Sequence, residues 1–128
     1  MKPELMYLAW AVALTVAQML VAASGSASVV GVMPLFGNRE GMPVLTGWAG
    51  RAQRAHYNML ENLVLFAALV LIAVIAQKTN DKTLLGAQLF FWARLAYAAI
   101  YLAGIIYLRT LAWLISIIGL VIIFLQIL

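Results

Sequence analysis

Four polar residues in the middle of the chain have the spacing of one helix face. Intervals of three, four and three residues separate Arg51, Arg54, Asn58 and Glu61. At 100° per residue these side chains form one stripe, with Asn62 at its edge. Such a stripe is polar enough to line a site. The alternative is structural: the arginines extend toward phosphates at a membrane surface, and Glu61 pairs with an arginine on another helix.

A second stripe follows about forty residues later in Arg94, Tyr97 and Tyr101, at intervals of three and four residues. Arg94 lies deep within an apolar segment, where an ionised side chain needs a partner. Glu61 is the only acidic residue inside such a segment, so we predict an Arg94–Glu61 ion pair with a structural role. The tyrosines either share the site with Arg94 or belong to the aromatic belt common at membrane interfaces.

Metal and thiol chemistry find little support in the sequence. His56 is the single histidine and lies about 140° from Arg51 around the helix, away from the centre of the stripe. Its ordinary interpretation is a hydrogen-bonded or interfacial side chain, and one histidine with one glutamate cannot complete a metal coordination shell. The chain has no cysteine, so a reactive thiol would have to come from a partner or substrate.

The elements that position these residues must lie in lipid. Of the 128 residues, 66% are hydrophobic and 9% are charged, whereas soluble domains are about 45–50% apolar and about 25% charged. The net charge of +4 comes from eight basic and four acidic residues, which is too sparse for a nucleic-acid surface. A membrane is crossed by about 20 helical residues, so the chain has room for four spans and no separate soluble domain.

The fold class predicted is all-α, an integral membrane four-helix bundle forming a single domain. Glycines and prolines between Met33 and Thr46 indicate the longest loop, and Lys78 to Lys82 form a second connection. The remaining apolar stretch is too long for one span, and its most plausible break is at Tyr107 to Thr110. The expected spans are residues 5–33, 48–77, 83–107 and 111–128.

The first span also resembles a secretory signal, but apolar residues resume after its small-residue segment, which favours a retained helix. Basic residues are divided almost evenly between the two ends of the bundle, with four arginines at one and three lysines at the other. This weak asymmetry places the first and third loops in the cytoplasm and both termini outside it.

Both stripes resemble motifs of one family. The segment from Arg51 to Glu61 is similar to the Arg-x-x-Arg-Ala-x-x-Asn-x-x-Glu signature of the MAPEG family, the membrane-associated proteins of eicosanoid and glutathione metabolism. The segment from Arg94 to Tyr101 resembles that family's Arg-x-x-[His/Tyr]-x-x-x-Tyr motif. Arg109 falls close to the family's arginine at the junction of the third and fourth helices. The resemblance extends from about residue 36 onward and is to bacterial-type members, so the expected location is a bacterial inner membrane.

The resemblance implies a homotrimer that binds glutathione, as co-substrate, between subunits near the cytoplasmic face. It implies that the tripeptide is held by seven residues: Arg51, Arg54, His56, Asn58, Glu61, Tyr97 and Tyr101. Arg109 would be the catalytic residue that stabilises the glutathione thiolate, since a nearby cation favours the charged form of a thiol. Thr110 or a tyrosine hydroxyl would assist. The second substrate, a hydrophobic electrophile or lipid hydroperoxide, would enter from the bilayer.

The sequence departs from the family pattern in four places. No cation precedes Arg39 at the end of the first helix, and Val64 stands where a proline often follows the glutamate. Tyr57 replaces a cation of the prostaglandin-synthase branch, and the spacing from Tyr101 to Arg109 differs by about one residue from that of some relatives. These departures argue against a narrow prostaglandin or leukotriene synthase.

Three functions therefore remain after the sequence analysis. The leading hypothesis is a glutathione-dependent membrane transferase or peroxidase. The second is a non-catalytic lipid-binding scaffold of the same family. The third is a small proton-coupled transporter that uses Glu61, which pairing with Arg94 would disfavour because a carboxylate held ionised exchanges protons poorly.

Overall fold

Four long helices make up nearly the whole protein in the computed structural model, which describes residues 1–128. They are α1 (Pro3–Val30), α2 (Gly47–Ile75), α3 (Asp81–Ala103) and α4 (Ile106–Ile127), with a short 3₁₀ turn at Met33–Phe36. All four are long and apolar enough to cross a membrane, and there are no strands. The prediction of an all-α protein with four spans is confirmed.

The surface of the protomer has the character of a surface that faces lipid. Only 30 of 128 residues are buried, and most large apolar side chains on the helices are exposed. The buried stripe of α1 consists mainly of small and polar residues, among them Thr15, Gln18 and Gly25. The bundle is therefore held by close helix contacts more than by a large apolar core, as is usual where the solvent is itself apolar.

Glycines set the closest of these contacts. A Cβ atom on Gly86 of α3 would lie 2.7 Å from the carbonyl oxygen of Gly119 on α4, and a Cβ on Gly119 would lie 2.6 Å from that of Gly86. Between α1 and α2, a Cβ on Gly25 would lie 2.9 Å from the Cα of Ala49. These positions require glycine because any side chain would push the backbones apart.

One end of the bundle, which we call the clasp, is closed by hydrogen bonds between its polar residues. The Asn80 side chain accepts from the backbone of Thr83 at 3.0 Å and caps α3, and its Nδ2 donates to Gln126 Oε1 at 2.9 Å. Thr83 Oγ1 donates to Glu4 Oε2 at 2.8 Å, and both residues are buried. Lys78 Nζ donates to the carbonyl of Ile127 at 2.8 Å. The clasp joins the N-terminus, the second loop and the C-terminus.

The break between the last two helices was predicted wrongly. It lies at Gly104 and Ile105, and not at Tyr107 to Thr110. Gly104 has φ +83° in the left-handed conformation, which glycine adopts readily, and its N–H donates to the carbonyl of Tyr101 at 3.0 Å. Arg109 consequently stands on the first turns of α4, where a helix fixes its direction.

Candidate functional site

The end opposite the clasp brings the predicted site residues of α2 to those of α3 and α4. Arg51 Nε donates to the carbonyl of Leu102 at 3.0 Å, next to the Gly104 turn. This hydrogen bond satisfies a carbonyl at the end of α3 and ties the start of α2 to the turn. Arg51 thus supports the geometry around the site from its edge.

Tyr101 lies between two arginines from different helices. Arg54 Nε on α2 donates to the Tyr101 hydroxyl at 3.1 Å. The Arg109 guanidinium on α4 lies 4.5 Å from the centre of the Tyr101 ring, within the range of a cation–π interaction. Three helices therefore meet at one phenol, and two guanidinium groups are held close together.

Tyr97 continues this cluster one turn deeper into the bundle. Its ring centre lies 5.4 Å from that of Tyr101, and the Arg94 guanidinium lies 4.2 Å from the Tyr97 ring centre on the deeper side. Arg94 is 1% exposed, and none of its three side-chain nitrogens has a hydrogen-bond partner. The aromatic face of Tyr97 is thus a principal electrostatic contact of this buried cation.

The predicted Arg94–Glu61 ion pair is therefore wrong within the protomer. Arg94 points into the bundle against Tyr97, whereas Glu61 is exposed on the outer face of α2. The expectation that Arg94 and Glu61 pair rests on their opposite charges and on the cost of leaving either charge unpaired in an apolar segment. Helix spacing alone does not give the rotation of α2 relative to α3, and that rotation separates them.

A cavity of about 190 Å³ opens between α2, α3 and α4 beside this cluster. It is lined by Asn58 of α2, Tyr97 of α3 and three residues of α4, Arg109, Thr110 and Trp113. All five side chains can donate a hydrogen bond, and no carboxylate is among them. The lining therefore suits a ligand that brings negative charge and acceptor atoms.

The amide of Asn58 is held in place by a second asparagine. Asn62 is buried, and its Nδ2 donates to the Asn58 backbone carbonyl at 2.9 Å and to Asn58 Oδ1 at 3.2 Å. Because Oδ1 accepts this bond, the orientation of the amide is fixed, and its amino group can donate to a ligand in the cavity. Asn62, at the edge of the polar stripe, is thus a supporting residue.

The other predicted site residues lie away from the cavity. Glu61 is exposed on the outer face of α2, and Arg51 is engaged at the Gly104 turn. His56 is partly buried, its Nδ1 has no hydrogen-bond partner, and its ring lies 6.0 Å from that of Tyr57. The cavity and the contacts beside it thus bring together Arg54, Asn58, Tyr97, Tyr101 and Arg109, but not these three.

Sequence reasoning missed one residue of the cavity, Trp113. It follows Arg109 by four residues and so shares a face of α4 with it. The spacing was available in the sequence, but a single tryptophan in an apolar span is common and has no special meaning until the helix start is known. Because the predicted break placed Arg109 in a loop, its spacing from Trp113 did not indicate a shared helix face.

Fold and site together define a four-helix membrane protein with an arginine- and tyrosine-lined cavity at one end. The family model described as MAPEG family matches residues 5–128. The chain is a member of the MAPEG family, and it is an integral, multi-pass membrane protein. Comparisons with curated proteins and with solved structures gave no match. At the level of the family, membership supports a glutathione-related membrane role.

Proposed function

We propose that this protein is a glutathione-dependent transferase or peroxidase that acts on hydrophobic electrophiles or lipid hydroperoxides. The observation that carries the proposal is the cavity lined by Asn58, Tyr97, Arg109, Thr110 and Trp113. Glutathione has two carboxylates and one ammonium group at neutral pH. A lining of donors without a carboxylate suits the anionic parts of such a ligand.

In this proposal Arg109 is the catalytic residue. Its guanidinium lines the cavity, and its contact with the Tyr101 ring fixes its position. A cation held there favours the thiolate form of bound glutathione, which is the nucleophilic form. The Thr110 hydroxyl, in the same lining, can donate a hydrogen bond to the sulfur. Arg54, Asn58, Tyr97 and Tyr101 hold the peptide portion.

The reaction then takes one of two balanced courses. In transfer, the thiolate sulfur forms a bond to the electrophilic carbon, and a leaving group departs with its electron pair or a proton is taken up. In peroxide reduction, two glutathione molecules are oxidised to the disulfide, while the hydroperoxide is reduced to an alcohol and water. Water supplies glutathione and the bilayer supplies the apolar substrate.

A homotrimer belongs to the same proposal. Arg54 and Glu61 are exposed on one side of α2 within a membrane-length helix. Charged side chains at this depth are costly in lipid and normally face another helix or an aqueous cavity. A neighbouring subunit on this face would cover them and would bring Glu61, His56 and Arg51 toward a glutathione shared between subunits. The proposed location is a bacterial inner membrane.

The geometry around Glu61 does not support the transporter alternative. The expected Arg94–Glu61 pair no longer argues against it, since the pair does not form. However, Glu61 lines none of the three main cavities, so none of these three provides an aqueous path to it. A binding carboxylate for transport would need such a path.

The deciding experiment is thiol consumption by the purified full chain in detergent, with millimolar glutathione and either a hydrophobic electrophile or a cumene-type hydroperoxide. We expect turnover with at least one of them. Binding of glutathione without turnover would favour the lipid-binding scaffold, and the absence of both would refute the proposal. Asn58→Leu, which removes a donor from the cavity, is expected to weaken glutathione binding, while Lys82→Gln at the clasp end serves as the matched control.

A further inference from the structure

A second polar cavity lies at the same end of the bundle, on the other side of α2. Its volume is about 220 Å³, and it is walled by the end of α1, the long first loop and the start of α2. Four of its nine lining residues are polar: Ser26, Arg39, Gln53 and Tyr57. It shares no residue with the cavity beside Arg109, and nothing in the proposed glutathione chemistry uses it.

Arg39 is the one cation of this cavity, and its backbone and side chain are fixed locally. It has φ +62°, a conformation that non-glycine residues rarely adopt, and its Nε donates to the carbonyl of Leu35 at 3.0 Å. The two terminal nitrogens make no hydrogen bond within the protomer, so the outer edge of the guanidinium is available. No carboxylate lines the cavity to neutralise it.

The loop around the cavity exposes large apolar side chains. Met33 is 78% exposed, Phe36 80% and Val44 89%, and Trp48 at the start of α2 is 45% exposed. These residues lie where α1 ends and α2 begins, which is where we expect spans of this length to leave the hydrocarbon. Apolar and tryptophan side chains at that level enter the boundary between headgroups and acyl chains. The cavity therefore opens where lipid headgroups are.

We propose that this cavity binds the phosphate group of an anionic phospholipid, with Arg39 as its cation and Gln53, Tyr57 and Ser26 as hydrogen-bond donors. A phosphate diester carries a single negative charge, which one guanidinium fork can balance through two parallel hydrogen bonds. The exposed apolar side chains around the cavity favour a phospholipid over a free phosphate as the ligand, because they can contact the acyl chains. Basic pockets between membrane helices bind anionic headgroups in this way.

The test is native mass spectrometry of the full chain in detergent with graded phosphatidylglycerol or phosphatidylcholine. We expect preferential retention of one phosphatidylglycerol per chain. Arg39→Gln should weaken that retention about fivefold, the effect of one favourable cation near a lipid surface. Gln53→Leu should weaken it less. Lys82→Gln, which removes an exposed cation at the clasp end, should leave it unchanged.

Each contrary outcome overturns the proposal in a distinct way. Equal losses in Arg39→Gln and Lys82→Gln would indicate general surface attraction, and equal retention of the two lipids, which share the phosphate diester, would exclude a preference for an anionic lipid. Displacement by an equal concentration of inorganic phosphate would assign the cavity to a free anion. A change of oligomeric state in Arg39→Gln, with phosphatidylglycerol retention intact, would show that a second copy covers the cavity. None of these results depends on glutathione turnover, so the catalytic proposal is tested separately.

Discussion

The polar side chains toward the two ends of the bundle differ in whether they have hydrogen-bond partners. At the clasp, Glu4 and Thr83 are buried and hydrogen-bonded to each other, and Asn80 bonds with both its oxygen and its nitrogen. In the cluster that extends inward from the other end, Arg94 is the largest fully buried side chain and its guanidinium has no hydrogen-bond partner. A buried polar group without a partner costs free energy that a satisfied one does not. The clasp thus has the character of a stabilising region and the opposite end that of a binding region.

The largest expected effect is on turnover at the binding end. If Arg109 stabilises the thiolate, Arg109→Ala should lower kcat about a hundredfold, as loss of one charge-stabilising donor commonly does. Glutathione affinity should change far less, since the effect is on the reacting sulfur. Steady-state thiol consumption and calorimetric binding measure the two quantities separately. Wild-type kcat in Arg109→Ala would remove Arg109 from the mechanism, and Lys82→Ala is the charge-matched control.

The next effect concerns stability at the clasp. Thr83→Val keeps the side-chain shape but removes the hydroxyl that donates to the buried Glu4 and accepts from the Asn80 backbone N–H at 2.8 Å, so the free energy of unfolding should fall by about 2 kcal/mol. Denaturation in mixed micelles, followed by circular dichroism, measures the change. Thr79→Val is the matched control because the Thr79 hydroxyl accepts only an exposed bond from Lys2 at 3.2 Å. Similar losses in both variants would show that burial of the Glu4 contact is irrelevant.

A smaller effect is expected for glutathione binding. Arg54→Ala removes one cation and releases Tyr101, so the dissociation constant for glutathione should rise about tenfold, or about 1.4 kcal/mol. Tyr101→Phe removes only the hydrogen bond of 3.1 Å and should have a lesser effect. Isothermal titration in detergent distinguishes them. Equal losses would mean that Arg54 acts only by positioning Tyr101.

The smallest expected effect is a gain in stability. Arg94→Met replaces an unpartnered buried cation with an apolar side chain of similar length, and such replacements are often neutral or stabilising. We expect the free energy of unfolding to rise by about 1 kcal/mol, whereas Arg94→Lys should bring no gain. Thermal denaturation in detergent is the measurement. Marked destabilisation by Arg94→Met would reveal a partner that another subunit supplies, and would erase the contrast with Thr83→Val.

The sequence predicted the helices well and their contacts poorly. Apolar length gave four spans, and spacing brought Arg54 and Asn58 onto one face of α2. Spacing could not give the rotation of one helix against another, so Glu61 was paired with an arginine that faces elsewhere. The break before α4 was misjudged because Arg109 and Thr110 looked like loop residues. The turn depends on Gly104, whose left-handed conformation is not evident among apolar neighbours.

The residue types alone determined the solvent, the number of spans and the family, because apolar length and polar periodicity are local properties of the chain. Tertiary structure decided which polar groups acquire partners. Glycine contacts between Gly86 and Gly119 set how closely α3 and α4 approach, and helix rotation buried Arg94 inside the bundle and left Glu61 outside. These outcomes depend on distances between segments far apart in sequence, which no local pattern encodes.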